Sequence, residues 1–242
     1  LRDDPVDRGG AGRRLLSGRP GGASPGRAVA GRGLAILAIA AAAPLMVALA
    51  LAVRLDLGAP VTFAQRRAGL GGAPFTVLKL RTMRDDRGPD GAPLPDALRT
   101  TRLGGVLRRL RLDELPQLFA IASGRMAWIG PRPLLPDTVA EMGEGGALRC
   151  AVRPGLTGWA QVSGNTLLDE REKLALDLWY VRRRGPALDG RIVAETAWVV
   201  LFGERRRERR VAAALESLGA RPLAPSDHPD AGRRSAHVRS AA

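Results

Sequence analysis

Apolar residues run without a charge from Gly33 to Val53, 21 positions bounded by Arg32 and Arg54. At a helical rise of about 1.5 Å per residue such a run reaches roughly 30 Å, one hydrocarbon thickness, so it predicts a membrane helix. It is longer than the apolar stretch of a cleaved signal peptide, and no small-residue cleavage site precedes a recognisable secreted domain. Pro44 sits near its middle, where a missing backbone donor bends a helix. Arginines flank it on both sides, Arg27 and Arg32 before and Arg54, Arg66 and Arg67 after, so charge asymmetry sets no orientation. A segment that enters the bilayer, turns at Ala43-Pro44 and leaves by the same face accounts for both features.

Beyond Pro60 the pattern is that of a mixed soluble domain. Val61 to Gln65 and Pro74 to Leu80 are short β-type runs separated by Gly69, Gly71 and Gly72, a predicted hairpin. Residues 85–96 form a polar loop rich in Gly, Pro and Asp. Leu103 to Arg111 places apolar residues at 103, 106, 107 and 110 among arginines, a basic amphipathic helix suited to a membrane surface. Glu170 to Arg182 is a second helix, opened by Asp169 with Glu172 three residues on, as in a capping box. Arg191 to Phe202 is a third, apolar and following Pro186. There are no internal repeats. The predicted fold class is α+β and mainly helical, with a re-entrant membrane helix hairpin, amphipathic interfacial helices and a short β-hairpin. Its expected divisions are a disordered basic leader (1–32), the membrane helix (33–57), a catalytic domain (58–202), and a basic helix extension with a disordered tail (203–242).

Composition narrows the chemistry. The formal net charge is +14 over 242 residues, which favours anionic partners such as lipid headgroups, nucleotide phosphates or nucleic acid. Of the 38 basic residues only Lys79 and Lys173 are lysines, leaving 36 arginines. This bias points to GC-rich coding and weakens any argument from arginine number alone. A single cysteine, Cys150, excludes an intrachain disulfide and a multi-cysteine zinc site. Both histidines, His228 and His237, lie in the tail. An enzyme with this composition must therefore do its reactive work with carboxylates.

The Arg111-Leu-Asp113-Glu114-Leu-Pro-Gln117 run sets two adjacent carboxylates in an apolar stretch after the basic helix. Neighbouring helical residues point about 100° apart, so the two would not share one proton as a facing dyad does, and they can serve different partners. Asp113 is either a nucleophile toward phosphorus or the cap of the following helix, with Glu114 a solvated acid in its first turn. Lys79, in a chain that otherwise uses arginine, is either a phosphate ligand or an exposed strand charge. Gly130-Pro131-Arg132-Pro133 holds an arginine between two prolines, ready for a phosphate or simply part of a turn. Arg153-Pro154-Gly155 leads to Trp159, a base-stacking surface or a core residue. Asp177 and Asp189 either bind sugar hydroxyls or orient basic groups, and Asp189 would serve equally as a helix cap.

In order, the blocks PVTFAQRRAGLGGAPFTVLKLRTM, TRLGGVLRRLRLDELPQLF, GRMAWIGPRPLL, VRPGLTGWAQVSG, KLALDLWYV and ALDGRIV resemble the bacterial sugar transferase family over about Gly33 to Phe202. These are monotopic polyprenyl-phosphate phosphoglycosyl transferases. The resemblance implies a UDP-sugar donor, a polyprenyl phosphate acceptor, UMP release, Mg²⁺ dependence and a phosphosugar carried on an aspartate. It also implies work at the cytoplasmic face of the bacterial inner membrane, at the start of surface polysaccharide synthesis. Asp113 matches the nucleophile and Mg²⁺ contact, with Glu114 its partner. The candidate substrate-binding set is Lys79, Arg81, Arg108, Arg132, Arg153, Asp177 and Asp189. Membrane lipids and downstream glycosyltransferases are the other expected partners, with no nucleic acid. The chain departs from the family pattern at Ala43, Ala120, Arg125 and Ala127, and at Ser163-Gly164-Asn165, where many members have Asn-Gly-Arg. The last change bears on donor contacts and leaves the nucleophile untouched. Two rival readings are a membrane-tethered nucleic-acid binder, indifferent to Asp113, and an inactive scaffold of an envelope-assembly complex.

Overall fold

In the computed structural model, which describes residues 25–219, the apolar run belongs to one long helix, α1 (Pro25–Leu57). The helix starts eight residues before the charge-free run (33 − 25 = 8), so residues 25–32 are not part of a disordered leader. Residues 1–24 lie outside the described residues. Tertiary bonds hold this first stretch helical despite Gly26 and Gly31. Arg27 pairs with Asp189 at 2.8 Å, Arg32 donates Nε to the Ala122 carbonyl at 3.0 Å, and Trp128 donates Nε1 to the Gly31 carbonyl at 2.8 Å.

Both arms of α1 pack on the domain. Ala35, with Ala38 and Ile39, joins a core of Phe75, Val77, Leu118, Ile121 and Met126. Val53, with Leu49 and Leu57, joins Leu80 and Leu107. Pro44 lies between the arms, and Leu37, Leu45, Val47 and Leu51 around it stay exposed. This is the one helix among the described residues long and apolar enough to cross a membrane.

The hairpin forms as expected but with a longer first strand. β1 (Thr62–Ala68) pairs antiparallel with β2 (Pro74–Leu80), from Thr62 opposite Leu80 to Ala68 opposite Pro74. Gly71 and Gly72 turn the chain at φ 64° and 78°, a region where only glycine sits without strain. Then come α2 (Asp96–Arg99) and α3 (Arg102–Arg109), whose N-terminus is capped by Thr101 accepting from the Gly104 amide at 2.9 Å. A 3₁₀ segment, Leu112–Gln117, carries the paired carboxylates and leads into α4 (Leu118–Ala122). β3 (Ala127–Ile129) pairs in parallel with β4 (Gly155–Thr157), and α5 (Pro136–Glu141) and α6 (Gly143–Arg149) lie between them in sequence.

A second core gathers the C-terminal helices: α7 (Trp159–Ser163), α8 (Glu170–Arg183), α9 (Pro186–Phe202) and α10 (Glu208–Ser217). The capping box of α8 is present, Asp169 and Glu172 each accepting from the other's amide. Trp159 is buried among Leu176, Tyr180, Ile192 and Val211, stacked on Trp179 at 5.2 Å with the Arg210 guanidinium 4.2 Å from its centroid. It is a core residue, which removes the base-stacking alternative. The helix extension is α10; residues 220–242 lie outside the described residues.

Candidate active site

A cavity of about 1210 Å³ opens between the hairpin and the C-terminal helices. Asp113 and Glu114 form part of its wall, both buried. The two carboxylates stand in opposite electrostatic situations. Glu114 Oε1 accepts from Lys79 Nζ at 2.9 Å and from Arg132 Nη2 at 2.6 Å. Burial pushes its carboxyl up, but the charges and hydrogen bonds of Arg132 and Lys79 together outweigh that and hold it at about 2. Asp113 makes no ion pair within 4 Å among the described residues. Burial and the neighbouring Glu114 charge raise its pKa, with Lys79, its own amide and Arg108 opposing. Glu114 is therefore a fixed anion already satisfied by two cations, and Asp113 is the carboxylate left uncommitted.

Local structure explains this division. Along β2 the inward row runs Phe75, Val77, Lys79, so the strand's period of two swaps an ammonium into an apolar row at the level of Glu114. Arg132 is held by its proline neighbours and by two bonds just before it, Gly130 N to Thr157 O and Gly155 N to Pro131 O, each 2.9 Å. Neither carboxylate caps a helix: the 3₁₀ segment follows Arg111, and α4 follows Gln117, with no side-chain cap at either.

Of the expected substrate-binding residues, the fold brings Lys79, Arg81, Arg108, Arg132 and Asp177 to this cavity. Arg108 donates Nε to Thr82 Oγ1 at 2.9 Å, and Arg81 bonds the carbonyls of Met83 and Pro60 at 3.3 and 3.1 Å. Asp177 is buried against Arg149 at 2.7 Å; burial raises its pKa against the pull of that guanidinium. The other two stand elsewhere. Arg153 spends Nε on the Gly124 carbonyl at 2.9 Å on an exposed surface. Asp189 is taken by Arg27 and by the Tyr180 hydroxyl, which donates at 3.0 Å. Nor is Asp189 a helix cap, since Gly185 holds that position of α9.

Further groups outside that expected set belong to this wall, among them Arg67, Arg149 and Glu204. Arg67 has a lowered pKa, from burial and from the Arg132 charge beside it; with Lys79, Arg132 and Arg111, whose Nη1 is 4.0 Å from Glu114 Oε1, four cations crowd the single Glu114 carboxylate. The surplus positive charge suits this wall to anionic groups. Strand alternation could have found Arg67, two positions from Gln65. Nothing local marks Arg149 or Glu204.

Mg²⁺ needs few ligands from the chain, because it is commonly held by one or two carboxylates together with substrate phosphates and water. Among the described residues no group of three His, Cys, Asp or Glu side chains could hold a metal by itself. The uncommitted Asp113 carboxylate beside a cationic wall fits the shared mode.

The sequence model of the bacterial sugar transferase family matches residues 27–203. The uncharacterized sugar transferase EpsL of Bacillus subtilis is 45% identical over 152 residues, 63% of this chain and 75% of that protein. The UDP-glucose:undecaprenyl-phosphate glucose-1-phosphate transferase of Caulobacter vibrioides is 42% identical over 213 residues, 81% of this chain and 79% of that protein. A UDP-N-acetylgalactosamine-undecaprenyl-phosphate N-acetylgalactosaminephosphotransferase of Aeromonas hydrophila is 37% identical over 177 residues, 70% of this chain and 42% of that protein.

Proposed function

The chain belongs to the bacterial sugar transferase family, and from that premise we propose that it moves a sugar 1-phosphate from a UDP-sugar to undecaprenyl or another polyprenyl phosphate, through an aspartyl phosphosugar on Asp113. The observation that carries this reading is the division of labour between adjacent carboxylates, Glu114 locked by Lys79 and Arg132 and Asp113 free at the cavity wall. In the first step an Asp113 oxygen attacks the sugar-bearing phosphorus, the bond from that phosphorus to the bridging oxygen breaks, and UMP leaves with the electron pair. In the second a phosphate oxygen of the polyprenyl carrier attacks the same phosphorus, frees the Asp113 carboxylate and forms the pyrophosphate link. Lys79, Arg67, Arg108 and Arg132 supply the cationic wall against which charge moves. Asp113 would help to hold Mg²⁺, which when bound would supply further neutralisation of phosphate charge.

The acceptor's hydrocarbon chain keeps its phosphate at the bilayer surface, so the cavity must stand there. Three features support this: the apolar α1, the exposed Trp198, Leu201 and Phe202 of α9, and the way α1 packs. Ala35 toward one end of α1 and Val53 toward the other pack on the same domain, with Pro44 between them. A helix that re-enters at Ala43-Pro44 and returns both arms to one face suits that packing. That face is cytoplasmic in this reading, where nucleotide sugars are made, and the reaction opens surface polysaccharide or glycoconjugate synthesis.

The test is UMP release from a panel of UDP-sugars with polyprenyl phosphate. Asp113→Asn should abolish it, and mass spectrometry of wild-type protein given donor alone should find a phosphosugar on the peptide containing Asp113. EDTA should stop turnover and Mg²⁺ restore it. An active Asp113→Asn protein, or an adduct on another peptide, refutes the assignment.

A further inference from the structure

Among the described residues only two that are not glycine have a positive φ, Arg111 at 59° and Asn165 at 45°. Such conformations strain an L-residue and persist where surrounding bonds over-determine them. Both residues bond the same atom. Glu204 Oε1 accepts from Arg111 Nη2 at 2.8 Å and from Asn165 Nδ2 at 2.5 Å. Its other oxygen takes the Thr166 amide at 3.1 Å and the Thr166 hydroxyl.

Arg111 stands two residues before Asp113, and its left-handed turn is what ends α3 and starts the 3₁₀ segment: its own amide donates to Arg108 O, and its carbonyl accepts from the Glu114 amide, each at 3.2 Å. Asn165 opens a second 3₁₀ turn, Asn165–Leu167, and it too lines the cavity. Glu204 itself is anchored independently, because Arg207 donates its amide to Ser163 O at 2.9 Å and Arg206 pairs with Glu172 at 2.5 Å.

We propose that Glu204 is a positioning residue, whose one carboxylate oxygen holds both left-handed residues and so fixes where Asp113 stands relative to the Asn165–Leu167 turn. The proposal rests on the reading of Asp113 as nucleophile. Glu204 acts through backbone geometry, both of its oxygens being spent on Arg111, Asn165 and Thr166.

The test compares full-length wild type, Glu204→Ala and Glu204→Gln in detergent. Loss of the clasp should lower kcat about tenfold while KM for the UDP-sugar stays within about twofold, because a displaced nucleophile weakens the transition state more than donor binding. Glu204→Gln keeps an acceptor and should lie between the two. Amide hydrogen exchange over residues 112–117 should quicken about tenfold in Glu204→Ala, with α8 unchanged. Arg111→Gly, which adopts the left-handed turn freely, should retain more activity than Arg111→Ala. Unchanged exchange over 112–117, a loss carried by KM, or equal activity of the two Arg111 variants overturns the proposal. A wild-type protein that turns over no donor sinks the functional reading instead, and the exchange comparison still decides the role of Glu204.

Discussion

At the scale of single residues, the division between Asp113 and Glu114 is made by the fold and not by their own stretch of chain. The cations that decide it, Lys79 and Arg132, lie 35 and 18 positions from Glu114 in the chain. That partition has opposite consequences for stability. Glu114, held at about 2, contributes stability above the ordinary carboxylate range and loses it as pH falls toward 2. The depression corresponds to about 3 kcal/mol, so Glu114→Gln should unfold more readily at pH 7 by that order, with the gap closing as pH falls below about 4.5. Thermal unfolding of both proteins in detergent between pH 7 and 3 measures this, and a gap that stays constant would contradict it. Asp113 has the reverse sign: its raised pKa means that ionisation costs stability as pH rises through it. Asp113→Asn should therefore be inactive yet at least as heat-stable as wild type at pH 7, whereas a helix cap would lose about 1 kcal/mol.

Elements defined by local signals were read well. The second strand of the hairpin, Pro74–Leu80, and the capped start of α8 at Asp169 depend on alternation and on a cap three residues from its partner. The parallel β3–β4 pair was invisible, since three-residue strands carry no periodicity and their pairing joins positions 28 residues apart (155 − 127). The seating of α3 was equally hidden in its Gly104-Gly105 pair. A Cβ on Gly104 would fall 2.0 Å from the Thr82 carbonyl oxygen, while one on Gly105 meets nothing within 4 Å. Thr82 also receives the Arg108 guanidinium, so pushing α3 outward moves that cation off the cavity wall. Gly104→Ala is expected to cost about 1–3 kcal/mol and to cut kcat/KM, while Gly105→Ala gains up to about 1 kcal/mol from helix propensity and keeps full activity. Unfolding midpoints and initial rates for the pair check this; equal behaviour would mean that α3 is not seated by its glycine.

For the whole molecule, the relation between α1 and the domain decides the topology. The charge-free run gave the helix its membrane character, but its first turns, Pro25 to Arg32, were read as leader because the bonds that order them reach Ala122, Trp128 and Asp189. If both arms lie on the cytoplasmic face, single cysteines near residues 25 and 60 should both resist a membrane-impermeant thiol reagent in intact cells and react in opened ones. Reaction near residue 25 alone in intact cells would establish an ordinary span. Cys150 is buried with a thiol pKa pushed up by burial, so it should stay silent in this experiment. The packing of the two arms also bears on how the protein can be handled. α1 is a structural wall as much as an anchor, because it covers Phe75, Leu118 and Ile121 at one end and Leu80 and Leu107 at the other. A chain begun at residue 58 to obtain a water-soluble enzyme would bare both grooves. Light scattering should find that truncated protein self-associated in buffer, and a monodisperse, folded monomer would show that the domain does not need its helix.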